Sequence, residues 1–168
     1  MIIKDLFNHF LDIDPRWKEW PTGNAPTPDR EGCFFLEKGH VMEYLRVGKD
    51  AKKIITLFFG PTEFVIPCHP IFSCMVSLDP ISKASFSYHA VFSTIRKFPE
   101  SKVHYRGVRD QYKKKVETRI YELKSLTGPE RFDRLKETQP WVFSKVNEKD
   151  IASYLGISRT MLAELRRK

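Results

Sequence analysis

Residues 147–166 constrain the fold of this chain most strongly, because they predict two helices joined by a sharp turn. Asn147 can cap the first helix, and Asp150, three residues later, can hydrogen-bond back to the cap in a variant of the capping box. Gly156 follows the first helix, and glycine readily takes the left-handed conformation that ends a helix and turns the chain. Ser158 is a second N-cap. The stretch therefore predicts a helix–turn–helix unit.

Both predicted helices carry an apolar stripe. The first stripe consists of Ile151, Ala152 and Leu155, and the second of Met161, Leu162 and Leu165. Ile157 can fill the inside of the turn between the two helices. A large side chain in place of Ala152 would hold the helices apart. The pattern predicts that the two helices pack on each other at a steep angle.

The outward face of the second helix is short, polar and partly basic. Its residues are Ser158, Arg159, Thr160, Ala163, Glu164 and Arg167. A face of this kind suits a DNA major groove. An ordinary helical hairpin with a glycine C-cap is the alternative interpretation of the segment.

The basic charge of the chain is concentrated in the same region. The 168 residues carry a net charge of +8, from 29 Lys+Arg and 21 Asp+Glu. Residues 1–98 hold 12 basic and 11 acidic side chains, a net of +1, so residues 99–168 hold 17 and 10, a net of +7. This asymmetry is typical of a protein whose C-terminal end binds nucleic acid.

The cysteine content and the N-terminus narrow the class of protein further. The three cysteines, Cys33, Cys68 and Cys74, have no repeated spacing and do not predict a disulfide framework. The N-terminus lacks the uninterrupted apolar segment of a signal peptide, and no apolar run is long enough to span a bilayer. We therefore expect a soluble cytoplasmic protein that does not enter a membrane.

The pattern upstream of the helix–turn–helix predicts mainly strands. Residues 2–13 have the spacing of a short amphipathic helix, and the proline-rich residues 21–32 predict a loop. Six or so short strands separated by turns follow, at residues 34–36, 41–47, 54–59, 63–66, 71–78 and 84–93. The last is predicted from strict alternation of apolar and polar residues. Such strands favour an antiparallel sandwich or roll within an α+β chain.

A long helix is predicted after Pro99, with one narrow apolar stripe. The stripe consists of Tyr105, Val108, Tyr112, Val116, Ile120 and Leu123. A stripe this narrow can pair with its copy in a second subunit, as in coiled coils, or pack against the sheet of its own chain. We favour the homodimer. The predicted domains are a β-roll sensor domain at residues 1–98, a dimerisation helix at 99–127 and a DNA-binding domain at 128–168.

A roll, a long helix and a terminal helix–turn–helix, in that order, resemble the Crp/Fnr (catabolite activator protein-like) transcription regulators. The run from Ile151 to Ser158 looks like a string frequent in the short-chain branch of that family, and residues 131–135 resemble the segment that opens its DNA-binding domain. Residues 34–44 and 57–64 resemble strands of the cyclic-nucleotide-binding roll. The resemblance implies a homodimer that binds double-stranded DNA, with RNA polymerase as a further partner.

The resemblance also assigns roles on the DNA. Arg159 and Thr160 would point at base edges, with Ala163 on the same face, and Ser158 would contact phosphate. Arg166, Arg167 and Lys168 would attract the DNA backbone. Glu164 stands where the family usually has Arg, and because Arg suits guanine and Glu suits cytosine, a known operator cannot be carried over.

The expected ligand site departs from the family pattern. Cyclic-nucleotide-binding members hold the phosphate with a Gly–Glu pair and a later Arg, but residues 67–85 contain neither Gly nor Arg. Ser82 occupies the Arg position, with Lys83 beside it. The candidate ligand-binding residues are therefore Glu63, Ser82, Lys83 and Ser85. We expect another acid near Lys83, or no ligand, rather than cyclic AMP, and we expect no cofactor.

Three other readings of the sequence have weaker support. Cys68, His69 and Cys74 lack the second close pair that a metal site needs, so no metal is expected. His40, His69 and His89 are isolated, and no catalytic set or nucleotide fingerprint is present, so we expect no enzyme. The alternative function is a small-ligand sensor whose C-terminal helices bind a protein instead of DNA.

Overall fold

The computed structural model describes residues 17–23, 32–48, 52–66 and 73–167. The helix predicted for residues 2–13 lies outside the described residues, as do Cys68, His69 and Lys168. Within the described ranges, no helix combines the length and the apolar character needed to cross a membrane.

Two antiparallel sheets form the N-terminal part. Their strands are β1 (Trp17–Trp20), β2 (Gly32–Lys38), β3 (Val41–Val47), β4 (Lys52–Phe59), β5 (Glu63–Val65), β6 (Ser73–Ser77) and β7 (Ile81–Ser87). One sheet has the order β1-β7-β2-β5 and the other β4-β3-β6. The predicted antiparallel roll is confirmed, although β1 was not expected from the sequence.

The core of the roll lies between the two sheets. Alternate residues of each strand point inward, as the pleat requires. The first sheet contributes Phe34, Leu36, Val65 and Ile81, and the second contributes Val41, Leu57, Phe59 and Met75, all almost fully buried.

The strand predicted for residues 84–93 is wrong beyond Ser87. A helix, α1 (Tyr88–Lys97), begins there, and the Ser87 side chain accepts a hydrogen bond from the Ala90 amide at 3.1 Å. Val91 packs on the outer face of the first sheet, while Phe92 remains 48% exposed. The alternating pattern was misleading because the apolar outer face of the sheet, which includes Phe35 and Phe86, needs a helix to cover it.

Five further helices follow a short 3-10 turn at Pro99–Ser101. They are α2 (Lys102–Ser125), α3 (Gly128–Thr138), α4 (Val142–Lys145), α5 (Glu148–Leu155) and α6 (Arg159–Arg167). The long helix expected after Pro99 is therefore confirmed as α2. Thr127 and Glu130 form a capping box at the start of α3.

The helical part packs directly on the roll. One apolar cluster joins Met42, Ile55 and Phe58, on the outer face of the second sheet, to residues of α3 through α6. The helices contribute Phe132, Leu135, Val142, Ile151, Ala152, Tyr154, Leu155 and Leu162, and Val146 joins them from the end of α4. The helix–turn–helix is therefore held against the roll of its own chain and is not free on a linker.

Candidate nucleic-acid interface

The first helix of the motif, α5, begins and ends as the sequence predicts. The Asn147 side chain accepts a hydrogen bond from the Asp150 amide at 2.9 Å, and its amide group donates to the Asp150 carboxylate, also at 2.9 Å. Gly156 ends the helix in the left-handed conformation, with φ of 65° and ψ of 37°. These two caps fix where the chain leaves α5 and enters the turn.

The second helix, α6, is anchored by the buried Leu162 and capped by the exposed Ser158. Ser158 accepts a hydrogen bond from the Met161 amide at 3.1 Å, and Leu162 is 1% exposed. Met161, Leu165 and Ile157 of the turn are half-buried. Both predicted stripes therefore face the core.

The outward face of α6 carries the predicted polar residues. Ser158, Arg159, Thr160, Glu164 and Arg167 are exposed. Ala163 is half-buried at the edge of this face. Within the part of the chain that is described, neither Arg159 nor Glu164 has an ion-pair partner. Their charged groups are thus available to a DNA groove.

Arg166 differs from the other basic residues near the end of α6. Its guanidinium contacts Glu148 of α5 at 2.8 Å and lies 5.7 Å from the Phe143 ring. These contacts brace the two helices of the motif against each other. Its predicted contact with the DNA backbone stays a prediction, as does that of Lys168.

Two arginines hold the C-terminal end of α5, a feature that sequence reasoning missed. Arg119 of α2 donates to the Tyr154 carbonyl and stacks on the Tyr154 ring at 3.7 Å. Arg131 of α3 donates to the Leu155 carbonyl at 2.7 Å and to the Leu126 carbonyl. Cations suit a helix C-terminus because its last carbonyls lack helical partners. The arginines thereby fix α5 to the long helix and to α3.

A second missed feature is an ion pair between the roll and the motif. Lys53 of β4 donates to the Asp150 carboxylate at 2.8 Å, and the Asp150 side chain is only 8% exposed. Asp150 therefore both caps α5 and ties it to the sheet. A spacing of 97 residues between the partners leaves no local signal in the sequence.

The apolar stripe of α2, which is predicted to form a dimer contact, is divided between two environments. Tyr112 and Val116 pack against the core of their own roll, and the Tyr105 ring lies 5.9 Å from that of Phe92. Packing on the same chain, the alternative interpretation, therefore accounts for part of the stripe. Ile120 and Leu123, each 47% exposed, leave its C-terminal end uncovered. Val108 is half-buried.

The four candidate ligand-binding residues do not meet at one site. Lys83 is 3% exposed and lies 4.7 Å from the Phe34 ring inside the roll. Ser82 lies on the opposite face of β7 and donates to Glu37 at 3.0 Å. Glu63 pairs with Lys115 at 2.6 Å, and Ser85 is exposed. Ser82 and Lys83 therefore cannot line the same space.

The cysteines and histidines form no metal-binding group in the described ranges. No group of three metal-binding side chains occurs there. Cys33 is buried, and burial raises the pKa of its thiol to about 11. His40, expected to be isolated, instead lies 2.8 Å from Asp79 and 4.2 Å from the Trp141 ring.

Comparison with protein-family models finds no match, and comparison with curated protein sequences finds none either. Solved structures do match. FixK2 from Bradyrhizobium japonicum superimposes with a TM-score of 0.75 at 12% identity, covering 92% of this chain and 84% of that one. The c-di-GMP responsive global regulator CLP from Xanthomonas campestris gives 0.68 at 16% identity, covering 98% and 88%.

A mutant of CooA from Carboxydothermus hydrogenoformans gives a TM-score of 0.64 at 14% identity, covering 90% of this chain and 74% of that one. FixK2, CLP and CooA are Crp/Fnr regulators. The fold expected from the resemblance of the sequence is thus confirmed over almost the whole chain. This chain has the fold of the Crp/Fnr transcription regulators: a roll, a long helix and a terminal helix–turn–helix.

Proposed function

We propose that this chain is a sequence-specific, DNA-binding transcription regulator that acts as a homodimer. One observation carries the proposal. The helix α6 is capped, anchored in the core by Leu162, and presents Arg159, Thr160 and Glu164 to solvent after the left-handed turn at Gly156. A preorganised polar helix face of this kind is what a major groove accepts.

The rest of the molecule supports the same function. The net charge of +7 on residues 99–168 would attract DNA phosphates. The fold shared with FixK2, CLP and CooA supports a homodimer on DNA. The sequence resemblance is what supports RNA polymerase as a further partner. The cytoplasmic location stays a prediction, as does an effector other than cyclic AMP.

The test begins with selection of binding sites from a random DNA pool. Affinity for the selected site is then compared with affinity for scrambled DNA across a range of salt concentrations. The double variant R159A/T160A should lose about tenfold or more in affinity for the selected site, since each good base contact discriminates by about 1–3 kcal/mol. R96A, which removes an exposed arginine from α1, is the matched control and should change little.

Equal binding to every sequence, lost entirely as salt rises, would refute specific recognition, because that behaviour reflects phosphate attraction alone. Retention of specific affinity by R159A/T160A would show that α6 is not the reading helix. It would leave the protein-interaction alternative for the C-terminal helices.

A further inference from the structure

A cleft of about 420 Å³ opens where the roll, the long helix and the helical domain meet. Leu57 and Glu63 form its wall on the roll. Residues of α2 between Gln111 and Glu122, residues of α3 with the adjoining Gln139, and Tyr154 complete it. The volume is in the range of about 300–1,000 Å³ that is usual for small-molecule sites. Ser82, Lys83 and Ser85 are not among its lining residues.

The cleft is strongly basic. Its lining includes the five cations Lys114, Lys115, Arg119, Arg131 and Arg134, and the two carboxylates Glu63 and Glu122, for a formal charge of 5 − 2 = +3. Both carboxylates are already engaged, Glu63 with Lys115 at 2.6 Å and Glu122 with Arg134 at 2.7 Å. Lys114 has no ion-pair partner among the residues that the structure describes.

Part of this positive charge is held away from water. Burial lowers the pKa of Lys115, although Glu63 counteracts the effect. Burial likewise lowers the pKa of Arg119, with the Tyr154 and Glu122 groups acting in the opposite direction. Both shifts mean that the charged forms are incompletely compensated, and an added anion would stabilise them.

The wall of the cleft also contains an unsatisfied acceptor. The side-chain oxygen Oε1 of Gln139 is buried and lacks a hydrogen-bond partner within the described structure. A buried polar atom without a partner costs about 1–3 kcal/mol. An N–H or O–H group of a bound molecule that reaches this oxygen would satisfy it.

We propose that this cleft binds a phosphate-bearing ligand of nucleotide size, with the phosphate on the Lys114, Lys115 and Arg134 side and a donor group toward Gln139. A phosphate fits better than a carboxylate because it carries more charge against a formal +3 and accepts from guanidinium and ammonium groups together. The regulatory meaning rests on the proposed function, whereas binding itself does not. Arg119 and Arg131 line the cleft and hold α5, so occupancy would act directly on the helix–turn–helix.

The test is calorimetric titration of the full chain, without DNA, using AMP and GMP as nucleotide probes and inorganic phosphate as the small anion. Either nucleotide should bind with a dissociation constant in the micromolar range and more tightly than phosphate. K114A should weaken this binding about fivefold or more, and Q139M, which keeps the side-chain volume, about threefold. K113A is the matched control, because Lys113 pairs with Glu117 at 3.6 Å and does not line the cleft.

Equal weakening by K113A and K114A would overturn the proposal, since it would indicate general attraction to a basic helix. The absence of nucleotide binding at millimolar concentration would overturn it too. Binding of phosphate as tight as that of both nucleotides would exclude a ligand of nucleotide size. Because no DNA is present, these outcomes are independent of whether α6 reads sequence.

Discussion

At the residue scale, two glycines differ in whether the backbone conformation requires glycine. Gly156 has φ of 65°, a conformation that costs other residues about 1–2 kcal/mol. A Cβ there would meet only ordinary contacts, the nearest being an Arg131 nitrogen at 3.7 Å, so backbone conformation is what requires glycine. Among the described residues, nothing lies within 4 Å of the Cβ position of Gly107, inside α2, so packing there does not require glycine.

Alanine at these two positions should have opposite effects on stability. G156A should lower the free energy of unfolding by about 1–2 kcal/mol, because the left-handed turn becomes strained. G107A should raise it by about 0.5–1 kcal/mol, because alanine restricts the unfolded chain and favours the helix. Urea denaturation followed by circular dichroism measures both. A stabilising G156A would mean that the turn rearranges freely.

Lys53 provides a second test at this scale, since it joins the roll to α5. K53M should destabilise the fold by about 1–2 kcal/mol, because Asp150 loses a charged donor but keeps its contacts with Asn147. The adjacent Lys52 is exposed, and K52M is the control, with an expected change below about 0.5 kcal/mol. Equal urea midpoints for the two variants would show that the ion pair contributes nothing.

At the scale of elements, the sequence predicted best where local chemistry determines structure. The caps at Asn147, Gly156 and Ser158 act within three or four residues, and the whole helix–turn–helix could be predicted from them. Residues 88–93 were mispredicted because their alternation is local, whereas the sheet face that they cover comes from distant strands. Arg119 and Arg131 could not be assigned roles for the same reason, since their partners lie 35 and 24 residues away.

The sequence gives no direct view of which distant residues become neighbours in space, and this limit affected the candidate ligand-binding residues most. Ser82, Lys83 and Ser85 are neighbours in the sequence, but successive residues of a strand face opposite sides. The basic cleft, by contrast, gathers residues from the roll, α2, α3 and α5. No motif marks such a site, because it exists only once those elements have packed together.

At the scale of the whole molecule, polar contacts join the roll to the helices in addition to the apolar cluster that the two parts share. Asp79 accepts hydrogen bonds from the His40 ring at 2.8 Å and from Lys145 of α4 at 2.6 Å. Burial raises the pKa of the Asp79 carboxyl, but these hydrogen bonds outweigh that effect and leave the pKa below its usual 3.8. The clasp formed by His40, Asp79 and Lys145 therefore requires the ionised carboxylate.

Because the clasp requires an ionised Asp79, we expect the stability of the fold to depend on pH. Since the folded-state pKa lies below the unfolded value, the stability from Asp79 is complete above about pH 4 and is lost as the pH falls through the folded value. D79N should cost about 1–2 kcal/mol at pH 5, and the difference from the wild type should shrink toward pH 2.5. Urea denaturation across this range measures it, with D133N, an exposed carboxyl of α3, as control. A difference that grows on acidification would contradict the assignment.

The exposed C-terminal end of α2 provides a test of the proposed homodimer. Ile120 is 47% exposed, so an aspartate there should leave the monomer folded while placing a charge in the proposed contact between the two long helices. We expect I120D to sediment as a monomer and to lose affinity for a palindromic site, since one recognition helix then acts alone. V103D makes the same change at a residue that is 69% exposed but lies outside the predicted stripe, and should remain dimeric. If I120D still sediments as a dimer, the subunits meet elsewhere; if both variants become monomeric, the stripe does not define the interface.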